Sequence, residues 1–188
     1  KWSKFDSKGL FIGLKDGVYD VKNAKMVEHN LQDYLIQKRA IASFDPDAEC
    51  PKWMEFLGKV TSNGGNTPAD KQESADKIKF LQEWAGSGAL GIPSNMFCIF
   101  WGARGNNGKS TFVDTIHNVL GDYSKVTDPS TFTGNSGGNN ETFALAGFCG
   151  VRNLVMNESS KDQVSLSETL VKRIVASGMI EARFCGQN

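Results

Sequence analysis

The sequence predicts an α/β fold in two parts, and three observations predict it. Between residues 96 and 121 the apolar run "MFCIF", the glycine-rich turn "GARGNNGKST" and the amphipathic "FVDTIHNVLG" follow one another directly, in the order strand, turn, helix. A second apolar run, "NLVM", ends in "NESS" and leads to another amphipathic stretch, so parallel strands alternating with helices are expected over residues 91–188. Ahead of them, residues 1–90 combine turn-punctuated short strands with helical periodicity, which predicts a small β-hairpin followed by a helical region.

Composition narrows the class. At 188 residues and 39% apolar content the chain buries roughly 70% of its unfolded surface. Lys and Arg number 21 and Asp and Glu 21, so no global positive field marks a nucleic-acid binder and any phosphate contact must be local. Cys50, Cys98, Cys149 and Cys185 form no C-x-x-C pair, and His29 and His117 are the only histidines to join them, which argues against zinc. Cys98 in an apolar run behaves as a small hydrophobe and fits a reducing, cytoplasmic setting. No apolar segment reaches the roughly 18 residues of a membrane span, and no signal sequence opens the chain. The chain begins at Lys1 without methionine and stops at Asn188 just after "IEARFCGQ", as expected of a piece of a longer protein.

Taken in order, "GLFIGLKDGVYDVKNAKMVEH" at 9–29 alternates apolar runs with Asp16-Gly17 and Lys22-Asn23, predicting a hairpin or meander. Pro51 is placed for a first helical turn, and Trp53, Phe56, Leu57 and Val60 share a helical face. "TSNGGNTPADKQ" at 61–72 reads as a loop. "ESADKIKFLQEWAG" reads as a second helix with Ile78, Leu81, Trp84 and Ala85 on one face, which "SGALGIPSN" breaks. The run at 96–102 is then expected as the first buried strand of the second part.

Phe112, Val113, Ile116, Val119 and Leu120 recur at helical spacing up to Gly121. His117, between Asp114 and Asn118, is expected on the solvated side. "STFTGNSGGNNET" at 130–142 reads as a mobile connector. Leu154, Val155 and Met156 form a short buried strand that ends at Asn157-Glu158. Ser165 and Glu168 then make a capping box for a helix whose apolar face is Leu166, Leu170, Val171, Ile174 and Val175. Lys172 and Arg173 lie side by side on it, as cations favoured near a helix C-terminus or as a DNA contact.

Strand, tight turn and helix in succession are what phosphate binding needs, because turn amides and the positive end of the helix dipole converge on the anion. Gly105 and Gly108 permit the curl, Lys109 reaches the outer phosphates, and the Ser110 hydroxyl holds Mg²⁺. Ala103 stands where G-x-x-x-x-G-K-[ST] has glycine, a small enough residue to keep the loop. Ala103, Arg104, Gly105, Asn106, Asn107, Gly108, Lys109, Ser110 and Thr111 are the expected ATP-binding set. Glu158 is the acid placed to polarise water and to hold Mg²⁺ through water, although "NESS" also reads as a plain strand-to-loop turn. Asn157 accompanies it without charge.

The order of these pieces resembles the superfamily 3 helicases of the phage, plasmid and poxvirus primase-helicase type. "DGVYDVKNAKMVEHN", "FDPDAECPKWMEFL" and "LQEWAGSGALG" resemble the region before their ATPase. "GNNGKSTF" and "LAGFCGVRNLVMNESS" resemble their A and B motifs, and "LVKRIVASGMIEARF" the segment around B′. The resemblance implies an incomplete P-loop, AAA+-like ATPase core, Lys109 and Glu158 as catalytic residues, and Ser110 and Glu158 at the Mg²⁺ ion. It further implies a homo-oligomeric, usually hexameric, ring around single-stranded DNA, approached by Lys172, Arg173 and Arg183, in replication of a virus, phage or mobile element. Gly178-Met179 stands where such proteins often have Gly-Asp, and the C motif and arginine finger would lie beyond Asn188. The alternative is an ATP-gated DNA-binding or assembly module with little hydrolysis, suggested by Asn157.

Overall fold

The computed structural model describes residues 10–27, 34–62, 64–92, 96–102, 105–132, 145–157 and 167–175. It is a mixed α/β arrangement with a three-stranded antiparallel sheet, helices and a two-stranded parallel sheet. Strands β1 (Phe11–Gly13), β2 (Val18–Asp20) and β3 (Lys25–Val27) form the expected meander, with Ile12 opposite Tyr19 and Tyr19 opposite Met26. The second turn is closed by Asp20, whose carboxylate accepts from the Asn23 backbone at 3.1 Å and side chain at 2.7 Å, and Ala24 takes the left-handed conformation at φ 50°.

Helix α1 (Pro51–Thr61) starts with proline in its first turn, and of the predicted face Leu57 is fully buried. Helix α2 (Pro68–Leu90) is longer at both ends than the periodicity of residues 73–86 indicates. At its start, Thr67 and Asp70 form a reciprocal capping box and Pro68 occupies the first turn, so the polar loop ends at Thr67. At its end, "SGAL" stays helical until Gly91 turns left-handed at φ 63°, because Ala89 packs on a core of Ala40, Leu120 and Tyr123 that outweighs the low helix propensity of Gly88.

Helix α3 (Lys109–Leu120) passes through a short 3₁₀ turn (Gly121–Tyr123) into β4 (Ser124–Thr127), which pairs in parallel with β5 (Asn153–Met156), Val126 opposite Val155. Alternation along the strands sends Ser124, Asn153 and Val155 to one face and Leu154 to the other. Helix α3 meets the first face through His117, and Leu154 faces a core of Phe132, Leu145 and Leu170, the last from helix α4 (Glu168–Val175). Each face of the parallel pair is thus covered at its amino-terminal half, while Val126 and Met156 toward the carboxyl ends are exposed.

Four expectations are corrected here. Residues 96–102 form no strand and are not a buried run: Phe97 is 55%, Ile99 73% and Trp101 82% exposed. No strand among the described residues pairs with them, and without ladder hydrogen bonds apolar character alone does not make a strand. His117 is half-buried instead of solvated, its Nδ1 bonded to the Ser124 hydroxyl at 2.8 Å. The start of the supposed mobile connector is a 3₁₀ turn (Pro129–Phe132) with Phe132 in the core, where its ring stacks on Phe148; residues 133–142 lie outside the described residues. Helix α4 opens at Glu168, with the Ser167 hydroxyl accepting from Leu170 N at 3.4 Å, so Glu168 stands in the first turn and cannot close a capping box from its third position. Ser165 and Leu166 lie outside the described residues.

No helix among the described residues is long and apolar enough to cross a membrane.

Candidate functional site

The turn into α3 is built for close approach. Asn106 and Gly108 adopt left-handed backbone, φ 58° and 83°, and Gly108 is the residue that caps the helix. A side chain at Gly108 would be strained by its φ and would also collide with Val60 Cγ1 and meet Phe56 Cε2 at 3.2 Å. Helix α1 therefore lies directly on the loop. A Cβ on Gly105 would point into open space. Ala103 and Arg104 lie outside the described residues.

Lys109, Ser110 and Thr111 are the first three residues of α3. Among the described residues no side chain caps this helix, and no acid stands in its first turn, whereas α2 carries both a capping box and Asp70. The first N–H groups of a helix have no partner within it and carry the positive end of the macrodipole, so this end attracts an anion. Ser110 and Thr111 are exposed there. Lys109 folds back across the turn: its Nζ donates to Asn107 Oδ1 at 2.7 Å, and a Cβ on Gly102 would lie 3.0 Å from that nitrogen. Gly102, the glycine one place early for the standard spacing, thus leaves room first for the Asn107 amide and then for the lysine head that it holds.

The opposite end of α3 fixes the direction of the layer. His117 and Asn153 both bond the Ser124 hydroxyl, at 2.8 Å each, which places the last turn of α3 over the first residues of β4 and β5. A 12-residue helix is about 18 Å long, and α3 packs against both strands. Its amino end therefore lies toward the carboxyl ends of β4 and β5, where Asn157 follows Met156 and is exposed. Glu158 and Arg183 lie outside the described residues. Arg173 belongs to α4, and Lys172 is solvent-exposed and ion-paired with Glu168. Cys98, just before the loop, has its thiol pushed up by burial, which suits a packing role.

Sequence reasoning missed four contributors: Phe56 and Val60 against Gly108, the Ser124 hydroxyl, and Arg152. Phe56 and Arg152 fall within the quoted family segments, but the segments do not say what those side chains touch. A single arginine next to a strand has no sequence signal until its partners, far away in the chain, are known.

Residues 2–62 match the family described as D5 N terminal like. No curated protein matches the chain. The matched domain is the N-terminal domain of D5-like primase-helicase proteins, so this segment supports a link to that family and to DNA replication. Within the matched D5-type segment lie the meander β1–β3 and helix α1, and it is α1 that presses Phe56 and Val60 onto the Gly108 turn.

Proposed function

We propose that the chain binds Mg²⁺-ATP at residues 103–111 and forms the nucleotide-driven part of a superfamily 3, primase-helicase type replicative helicase. The observation that carries this reading is the uncapped amino end of α3, with Lys109 in its first turn behind the left-handed Gly108. Its company is a D5-type segment at residues 2–62. In this reading residues 1–90 are the region preceding the motor and residues 91–188 a P-loop, AAA+-like core.

The chain's residues then divide the work. Backbone amides of the turn and first helical turn hold the β- and γ-phosphates, and Lys109 leaves Asn107 to neutralise charge that develops on the transferring phosphoryl group. The exposed Ser110 hydroxyl, adjacent to Lys109, would hold Mg²⁺, with Glu158 acting on it through water. Bound there, Mg²⁺ would supply charge neutralisation at the phosphates. Glu158 takes the proton of the attacking water, the new P–O bond forms from that water, and the bond to the ADP oxygen breaks. Lys172, Arg173 and Arg183 face single-stranded DNA in a homo-oligomeric ring, hexameric in this family.

Titration of the purified protein with Mg²⁺-ATP tests the site. Lys109→Ala is expected to weaken binding at least tenfold, and an unchanged affinity rejects the assignment. Asn157 favours a second reading, an ATP-gated assembly module, because an uncharged residue beside Glu158 lowers the negative charge available to the metal. DNA-stimulated phosphate release that Glu158→Gln abolishes, with ATP binding kept, supports the motor. Phosphate release unaffected by Glu158→Gln favours the gate.

A further inference from the structure

Two acceptors have a claim on one ammonium group in the glycine turn. The first is Asn107, whose Oδ1 accepts from Lys109 Nζ at 2.7 Å. The second is the nucleotide phosphate that Lys109 reaches in the reading above. The other end of the Asn107 amide, Nδ2, fills the space in front of Gly102, where a Cβ would collide with it and would stand 3.0 Å from the lysine nitrogen. Asn107, Lys109 and the bare backbone of Gly102 thus interlock across the turn.

An exposed lysine ordinarily keeps its rotamer freedom and stays with water. Here the acceptor is pinned. The amide is wedged against Gly102, and the left-handed residues on either side of Asn107, Asn106 at φ 58° and Gly108 at φ 83°, set the direction in which it projects. An acceptor already fixed in place costs less to engage than a mobile one. The displaced glycine has a reason as well, since only a residue without Cβ at position 102 leaves room for the amide.

We propose that Asn107 is a latch on Lys109: it holds the ammonium until the outer phosphates of the nucleotide take it, and takes it back when they leave. The proposal rests on the phosphate assignment above. An ammonium bonds an anionic phosphate oxygen more strongly than a neutral amide oxygen, so the exchange runs forward when nucleotide arrives. Each binding event nevertheless gives up the Asn107 bond, which lowers affinity, and each release regains it, which favours nucleotide exchange. Asn107 is therefore a positioning residue that sets nucleotide affinity through Lys109, and Gly102 is the other half of the latch.

Both halves can be altered without reshaping the turn. Asn107 is exposed and its own backbone is outside the left-handed region, so alanine fits there. Gly102 needs no left-handed φ, and what an alanine Cβ would strike is the end of a flexible side chain. Calorimetric titration of the purified protein with Mg²⁺-ATP, carried to millimolar nucleotide, is the test. Asn107→Ala and Gly102→Ala are each expected to tighten ATP binding about threefold to tenfold, the range of a modest net hydrogen bond. In a Lys109→Ala background either change should move affinity by less than about twofold, because the latch has nothing left to hold. Unchanged or weaker ATP binding in either variant overturns the latch, and so does an equal gain with and without Lys109, which would place the effect in the turn itself. ATP affinity that Lys109→Ala leaves unchanged overturns the phosphate assignment first and the latch with it, whereas a loss in Lys109→Ala with no gain in Asn107→Ala overturns the latch alone.

Discussion

The Arg152 guanidinium lies over the Tyr123 ring, its central carbon 4.0 Å from the ring centre. Around this pair segments distant in the sequence are joined. Arg152 donates from its backbone N–H to Tyr123 O at 2.8 Å, from Nη1 to Ala89 O at 2.9 Å and from Nη2 to Phe11 O at 2.8 Å. The fully buried Tyr123 returns the link, its hydroxyl accepting from Gly13 N at 2.9 Å. The C-terminal carbonyls of α2, the strand β1 and the start of β5 thus converge on one cation, where the helix dipole favours positive charge. Gly91 is needed for this: a Cβ there would meet Arg152 Cγ at 2.7 Å.

Arg152→Met should therefore cost about 3 kcal/mol of stability, combining a charged hydrogen-bond loss of about 1.5–3 kcal/mol with a cation–π contribution of about 1–2. Urea unfolding measures it. A loss below about 1 kcal/mol would show that water replaces the arginine without penalty.

Gly108→Ala should abolish nucleotide binding and destabilise the fold by about 2–4 kcal/mol, since left-handed backbone strains a non-glycine residue and the new Cβ strikes Val60. Combining it with Val60→Ala removes the collision and keeps the strained φ, so part of the stability should return. Thermal melts of the single and double variants check this, and strictly additive losses would contradict it.

The α2 cap should respond to acid. The Asp70 carboxyl is held below its ordinary range, first by the Thr67 hydroxyl and then by the Thr67 backbone N–H. A depressed carboxyl contributes stability that is full above its unfolded value, about 3.9, and that fades as pH falls through the folded value. Amide exchange in the first turn of α2 should accelerate below about pH 4, allowing for intrinsic exchange rates. Thr67→Ala should remove that dependence and cost about 1 kcal/mol at neutral pH.

Lys172→Ala should leave stability within about 0.5 kcal/mol, because its pair with Glu168 is solvent-exposed. Should this lysine contact a DNA phosphate, the same variant lowers single-strand affinity and flattens the salt dependence by about one unit of slope. Fluorescence anisotropy across a salt series reads both, and an unchanged slope assigns Lys172 to its helical pair alone.

Local signals carried far in this chain. Asp and Asn turns between short apolar runs indicated the meander, Pro51 the start of α1, and Gly121 the end of α3, because in each case the deciding physics lies within a few residues. The glycine turn before Lys109 was legible for the same reason: its φ angles and its uncapped helix are properties of "GNNGKS" itself. Where long-range partners decide, the sequence misled. "MFCIF" has strand composition, yet a strand exists only when another lends its hydrogen bonds, and no strand among the described residues pairs with residues 96–102. "SGAL" looks like a breaker until Ala89 finds Leu120 and Tyr123.

By itself, then, the sequence determined the meander, the helices α1 and α3 and the tight glycine turn between residues 105 and 109, because propensity, capping and glycine freedom act over one turn of chain. Only the tertiary structure decided that α1 lies on Gly108, that His117 ties α3 to the strands through Ser124, and that Arg152 gathers three segments. Those contacts join residues up to 141 positions apart, and their energy comes from burial and hydrogen bonding that no local pattern encodes.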